Sequence, residues 1–98
     1  MLLSEKLKEL RERTGLPQRK IAAALDIDTA TYCKFEKGTL RPKREQISIL
    51  SSLLGENENE LLKFWLADKI TIVAESEKNI ASEALKLVND NFQITERE

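Results

Sequence analysis

The fold is decided by residues 16–38, which read LPQRKIAAALDIDTATYCKFEKG. Apolar side chains recur at helical spacing in two short segments of this stretch, about residues 17 to 25 and 29 to 37. Asp28 is a suitable N-cap for the second segment, and Gly38 suits a left-handed C-cap at its end. The stretch therefore predicts two short helices joined by a tight turn.

The same spacing rule predicts four more helices around this pair. They cover about residues 4 to 13, from Pro42 to Gly55, from Asn57 onward, and about 77 to 92. Ser4 is the expected cap of the first of them, since a serine hydroxyl can accept a free backbone N–H. No segment alternates convincingly between polar and apolar side chains, and we predict an all-α fold.

Charge is distributed unevenly along the chain. The formal net charge is −1, but residues 1–55 carry 11 Lys and Arg against 7 Asp and Glu, whereas residues 56–98 carry 5 against 10. The first part is thus at +4 and the second at −5. We predict a basic domain over residues 1–55 with a separate acidic C-terminal helical extension over 56–98, a pattern that favours a nucleic-acid partner for the first part.

The composition argues against an enzyme. The sequence has no histidine and one cysteine, and it has neither a nucleophile elbow nor a glycine-rich phosphate loop. We therefore predict no catalysis, no metal, no cofactor and no small-molecule ligand, and no internal disulfide is possible. No apolar run approaches the roughly 18 residues that cross a bilayer, so we expect a cytoplasmic protein with no membrane contact.

Many positions of the first part resemble the XRE family, the Cro and lambda repressor-like helix-turn-helix proteins of bacteria. The resemblance covers about residues 3 to 55 and rests on Leu10, Arg11, Gly15, Leu16, Gln18, Ile21, Ala22, Leu25, Ile27, Thr31, Phe35, Glu36, Gly38 and Pro42. It implies a DNA-binding transcriptional regulator whose recognition helix, about residues 28–37, enters the major groove. The alternative is a plain helical bundle whose apolar spacing imitates the motif.

The resemblance also implies roles for individual residues. Base contacts would come from Thr29, Ala30, Cys33 and Lys34. Phosphate contacts would come from Gln18, Lys37, Arg41, Lys43 and Arg44. Arg11 and Glu36 would form a structural ion pair. On an ordinary surface helix the lysines would instead be merely solvated, and Cys33 could be a redox-sensitive thiol rather than a small surface residue.

The chain departs from the family pattern at three places. Pro17 replaces the usual threonine before the glutamine, and we expect this change to preserve the turn. Asp26 replaces the usual glycine of the turn, and an aspartate tolerates the left-handed conformation that such a turn needs. Thr29 and Ala30 are short where longer side chains often contact bases, so we expect Lys34, a thymine-methyl contact and DNA shape to carry more of the specificity.

The C-terminal extension carries more apolar side chains than docking on a four-helix domain requires. We expect some of them to form a homodimer interface, namely Trp65, Leu66, Ile70, Leu85, Val88 and Phe92. A dimer would place two recognition helices about 34 Å apart on an inverted-repeat operator. The alternative is that these residues only complete the core of one monomer.

A rival function shares the same fold. An antitoxin-like or anti-repressor-like chain would keep the helix-turn-helix but bind a protein through its extension, and binding to duplex DNA distinguishes the two.

Overall fold

Helices form all of the regular structure in the described part of the chain. The computed structural model describes residues 1–97, with side chains as far as Gln93, and over that range it has six helices and no strand. Their bounds are α1 Leu2–Thr14, α2 Gln18–Ala24, α3 Thr29–Lys37, α4 Arg44–Leu54, α5 Glu58–Glu75 and α6 Lys78–Arg97. The prediction of an all-α fold is confirmed.

A single apolar core joins α1 to α4 and the start of α5. Each helix turns a stripe of side chains spaced three or four residues apart toward it, as the sequence pattern predicts. The core side chains are Leu3, Leu7, Leu10, Ile21, Ala22, Leu25, Tyr32, Phe35, Ile47, Leu50, Leu54 and Leu61. Burying a side chain of leucine size contributes about 1.5–3 kcal/mol, so this core supplies the main driving force for the fold.

The start of α1 differs from the expectation. The helix begins at Leu2 rather than at Ser4, and the Ser4 hydroxyl donates to the carbonyl of Met1 instead of capping the helix. The free N–H groups of Leu2 and Leu3 donate to the two carboxylate oxygens of Asp68 on α5, each at 2.9 Å. Asp68 is only 4% exposed, so a distant carboxylate supplies the cap that a local hydroxyl was expected to give.

The chain divides into two units, and the first runs from Met1 to Asp68. The predicted domain boundary after Gly55 therefore falls inside the first unit. The physical reason is that the first turns of α5 pack on the core: Leu61 is fully buried, and Leu62, Phe64 and Trp65 pack against the core cluster.

The second unit starts at Lys69 and contains the end of α5 and α6. Ala74 and Ala81 are partly covered, and every other described side chain from Lys69 to Gln93 is exposed. An open cleft of about 630 Å³ lies between the end of α5 and α6, with Leu85 among its lining residues. Within the part of the chain that the structure describes, no helix has the length and apolar character needed to cross a bilayer.

Candidate nucleic-acid interface

The turn between α2 and α3 is built by residues that suit it. Asp26 has a φ of 57°, which lies in the left-handed region. The family pattern has glycine at this position, and aspartate tolerates the same conformation. Asp28 then caps α3, because its carboxylate Oδ1 accepts the N–H of Thr31 at 2.7 Å. Hydrogen bonds from Thr31 hold the pKa of Asp28 below its ordinary value. At the other end, Gly38 closes α3 in a left-handed C-cap with a φ of 78°.

Helix α3 has one face in the core and one face in solvent. Tyr32 and Phe35 are buried and pack edge to face, with ring centroids 6.0 Å apart. The residues expected to reach the bases lie elsewhere on the helix: Thr29, Ala30 and Lys34 are exposed, and Cys33 is partly exposed. Lys37, in the last turn, is exposed as well. The helix therefore presents a short, mostly small-residue surface with two lysines.

The acidic residue of α3 is withdrawn from that outer surface. Glu36 has a side chain only 4% exposed, and it is paired with Arg11 of α1. Arg11 Nε donates to Glu36 Oε2 at 2.6 Å, and Arg11 Nη2 donates to Oε1 at 3.1 Å. The arrangement is bidentate and ties α1 to α3, as the family resemblance implies for this pair.

The Glu36 carboxyl stays ionised in these surroundings. Burial alone would raise its pKa. The hydrogen bonds that the carboxylate accepts, from Arg11 above all, have the larger and opposite effect, so the pKa lies below its ordinary value. The pKa of Arg11 is raised, chiefly by its hydrogen bond to Glu36. The pair is therefore two opposite charges with little net field, and it leaves the lysines of α3 to set the sign of the surface.

Gln18, the first residue of α2, joins the same cluster. Its Nε2 donates to Glu36 Oε1 at 3.1 Å. A carboxylate can only accept hydrogen bonds, so the amide nitrogen rather than the amide oxygen must face Glu36. Gln18 thus has a fixed orientation beside α3, at the position where a phosphate contact is expected.

Arg41 is held inside the first unit by Trp65. Its Nη2 donates to the Trp65 carbonyl at 2.9 Å, and its guanidinium carbon lies 5.3 Å from the centroid of the Trp65 ring. The indole N–H of Trp65 donates in turn to the Pro42 carbonyl at 2.9 Å. These contacts hold the basic loop against α5. Trp65, which had been expected at a dimer interface, makes them within one monomer.

The remaining basic residues of the loop are free of such contacts. Lys43 and Arg44 are exposed at the start of α4, where the backbone N–H of Lys43 donates to Gln46 Oε1 at 2.8 Å. They form no ion pair among the described residues. Their charges are therefore available to an anionic partner.

One residue of this surface was missed by the sequence analysis. Lys8 of α1 is exposed and lines a cleft together with Gln18 and Lys37. Its spacing was a usable signal, because Lys8 lies three residues before Arg11 and so falls on the same face of α1.

The described residues contain no cluster of candidate metal ligands. Among them, no group of three or more cysteine, histidine, aspartate or glutamate side chains converges on a common point. The surface built by α2, α3 and the following loop contains the fixed amide of Gln18 and several cations, and such groups can bind anions and hydrogen-bond to bases.

The fold and this surface define a helix-turn-helix protein. Residues 2–64 match a family model described as a helix-turn-helix domain. Because that match covers more than half of the chain, the chain belongs to the helix-turn-helix proteins of the XRE type.

Curated relatives agree with this assignment. The chain is 32% identical over 79 residues to the cryptic phage CTXphi transcriptional repressor RstR of Vibrio cholerae. The aligned region covers 81% of this chain and 61% of the relative. The chain is 35% identical over 63 residues to the helix-turn-helix transcriptional regulator DdrOP3 of Deinococcus deserti, covering 64% and 49%.

A third relative is an uncharacterised helix-turn-helix transcriptional regulator, YonR, derived from the SPbeta prophage of Bacillus subtilis. It is 34% identical over 62 residues, covering 63% of this chain and 57% of the relative. The chain thus spans about half to three-fifths of the length of these relatives. No solved structure is a significant match.

Proposed function

We propose that the chain is a sequence-specific DNA-binding transcriptional regulator that inserts α3 into the major groove. The observation that carries this proposal is the division of α3 into two faces. Tyr32 and Phe35 hold one face in the core, while Thr29, Ala30 and Lys34 lie exposed on the helix. A helix fixed in this way can enter a groove without any rearrangement of the core.

Each side chain of the surface then has a role in the proposal. Base contacts come from Thr29, Ala30, Cys33 and Lys34. Phosphate contacts come from Gln18, Lys37, Arg41, Lys43 and Arg44. Of the second group, Arg41 is also bonded to Trp65, so it positions the loop as well as contributing charge.

The names of the relatives support a regulatory function. RstR is named as a transcriptional repressor, and DdrOP3 and YonR are named as transcriptional regulators. No side chain of the surface has the geometry of an acid-base pair or an activated nucleophile, and a binding function requires neither.

We further propose that the protein acts as a homodimer. Of the side chains expected at the interface, Leu66, Ile70, Leu85, Val88 and Phe92 are all exposed, with Phe92 at 65%. These side chains are thus not buried in the core of one monomer. Trp65 is packed against that core, and we leave it out of the proposed interface. Large apolar side chains exposed in this number favour an interaction site.

The pattern of α6 supports a second copy as the partner. At about 100° per residue, Ile80, Ala84, Leu87, Val88 and Phe92 fall on one half of the helix circumference. All four of the large ones are exposed, Leu87 at 73%. An inverted-repeat operator needs two recognition helices related by a two-fold axis, and an apolar face on every copy supplies a self-complementary interface.

Selection of bound sites from random duplexes tests the DNA-binding proposal. We expect enrichment of an inverted repeat whose half-sites lie about one helical turn apart. We also expect binding to weaken steeply with salt, because phosphate contacts release counterions. Recovery of no enriched sequence, or salt-independent binding, would contradict the proposal and favour a protein-binding module.

Sedimentation velocity of charged variants tests the dimer separately. Val88→Glu places a carboxylate on the apolar half of α6, and we expect it to sediment as a monomer. Gln93→Glu adds the same side chain to the polar half of the same helix and is the matched control, so it should sediment as the wild type does. Dimers of equal stability in both variants would refute the assignment of the interface to α6.

A further inference from the structure

A cleft between α1 and α3 lies beside the surface proposed to contact DNA. Its volume is about 150 Å³, and it is lined by Lys8, Arg11, Gln18, Cys33, Glu36 and Lys37. Three of its six lining residues, Cys33, Glu36 and Lys37, belong to the helix proposed to enter the groove. A group bound in the cleft would therefore lie next to the bases that this helix contacts.

The charges that line the cleft leave it positive. Arg11 and Glu36 neutralise each other through their bidentate pair. Lys8 and Lys37 are exposed, and neither forms an ion pair among the described residues. The cleft therefore has two uncompensated ammonium groups, one from α1 and one from α3, which favours an anion.

The amide of Gln18 adds a fixed hydrogen-bond donor to these charges. Glu36 binds one N–H of Nε2 at 3.1 Å, which holds the amide nitrogen, with its second N–H, in the cleft. No other hydrogen bond of that nitrogen is found within the described part of the chain. Glu36 is thus a positioning residue, because it acts on a ligand only through the orientation of Gln18.

We propose that this cleft binds one phosphodiester group of the DNA backbone, with Lys8 as a further contact beside Gln18 and Lys37. The inference rests on the proposed DNA-binding function. It extends the interface from the two helices of the motif to α1, and it gives the Arg11–Glu36 pair a function beyond stability.

The salt dependence of DNA affinity tests the role of Lys8. Affinities of the wild type, Lys8→Gln and Lys6→Gln for a selected duplex are measured over a series of salt concentrations. Lys6 is the control for loss of a positive charge, because it lies on the same helix and does not line the cleft, although its ammonium is paired with Glu9 at 3.9 Å. Thermal unfolding of both variants verifies that they are folded.

Each outcome of this experiment has a defined meaning. For Lys8→Gln we expect the slope of log affinity against log salt to fall by about 0.9 per protomer, with equal weakening on all sequences. For Lys6→Gln we expect the slope of the wild type. An unchanged slope in Lys8→Gln, with normal binding by the wild type, overturns the proposed phosphate contact in the cleft and leaves the proposed DNA-binding function standing. Failure of the wild type to bind any duplex overturns the proposed function and the cleft with it.

Inorganic phosphate separates a DNA phosphodiester from a free anion. It is added to the wild-type complex and compared with chloride at equal ionic strength. Equal release of DNA by the two salts is expected for a site shaped by the duplex. Selective release by phosphate, retained in Lys6→Gln and lost in Lys8→Gln, would show that free phosphate competes with DNA for the cleft and would overturn its assignment to a phosphodiester alone.

Discussion

Asp68 Oδ2 accepts a hydrogen bond from the backbone N–H of Leu3 at 2.9 Å, across 65 positions of the chain. The bond is buried, and the carboxylate has a second one to the N–H of Leu2. Negative charge at the first turn of a helix is also favourable to its dipole. The start of α1 is therefore stabilised by a residue of α5, and the first unit extends as far as that residue.

Removal of this cap should destabilise the protein. Asp68→Ala leaves the buried N–H of Leu3 and the partly buried N–H of Leu2 without an acceptor, which costs about 1–3 kcal/mol. Asp68→Asn retains one acceptor oxygen and should cost less. Urea unfolding followed by circular dichroism measures both. Glu75→Ala, which removes an exposed carboxylate from the same helix, should change stability little, and an equal loss in Glu75→Ala and Asp68→Ala would contradict the capping role.

The Arg11–Glu36 pair should make stability depend on pH in a defined window. The folded pKa of Glu36 lies below its ordinary value of 4.5. A group with a lowered folded pKa stabilises the protein fully above its unfolded pKa, and this contribution is lost as the pH falls through the folded one. At neutral pH, the free energy of unfolding of the wild type should therefore exceed that of Glu36→Gln by about 1.5–3 kcal/mol.

Thermal unfolding of both proteins from neutral to acidic pH measures this difference. The other carboxylates are common to both chains, so their titration cancels in the comparison. We expect the gap to narrow as the pH falls below about 4.5. A gap that stays constant down to the lowest pH would show that the charge of Glu36 does not contribute.

The hydroxyl of Tyr32 should be dispensable for stability. It is fully buried and has no hydrogen-bond partner among the described residues, although burial and the nearby Glu36 both raise its pKa. A buried hydroxyl without a partner costs about 1–3 kcal/mol of desolvation, so Tyr32→Phe should be neutral or stabilising in chemical unfolding. A loss above about 1 kcal/mol would indicate a hydrogen bond to Glu36 in solution.

Arg41 and Arg44 should differ in what they contribute. Arg41→Ala removes the bond to the Trp65 carbonyl and the contact with its ring, which together are worth about 1–2 kcal/mol at a partly buried site. Arg44 is exposed and has no such contact. We expect Arg41→Ala to lower both stability and DNA affinity, and Arg44→Ala to lower DNA affinity alone. Equal stability of the two variants would argue against the Trp65 contacts.

Lys34 should contribute to base discrimination. It is the longest of the four side chains proposed to reach the bases, because threonine, alanine and cysteine are all short. Lys34→Ala should reduce the preference for the selected site over a site mutated at one base pair by about 1–3 kcal/mol. Lys37→Ala should instead weaken both sites alike. Competition binding with the two duplexes measures the preference, and an unchanged ratio in Lys34→Ala would move recognition to other residues or to DNA shape.

The sequence alone was sufficient where spacing along the chain decides the structure. Helices α1 to α4 bury the side chains that their periodicity selected, and α3 begins after Asp28 and ends at Gly38 as predicted. The exposure of Lys34 also followed from spacing, because Tyr32 and Phe35 fix which face of α3 points inward. These features depend on local geometry, for which a few neighbouring residues contain the information.

Only the tertiary structure decided the features that join distant segments. Nothing near Leu2 indicates that Asp68 would cap it, nothing near Arg41 indicates Trp65, and the cleft of Lys8 exists only because α1 lies against α3. Each of these contacts depends on the angle and register with which two helices pack, and that is set by the whole core rather than by either partner's neighbours. Hydrophobic periodicity shows which face of a helix is buried, but it does not specify which distant polar group will meet the other side.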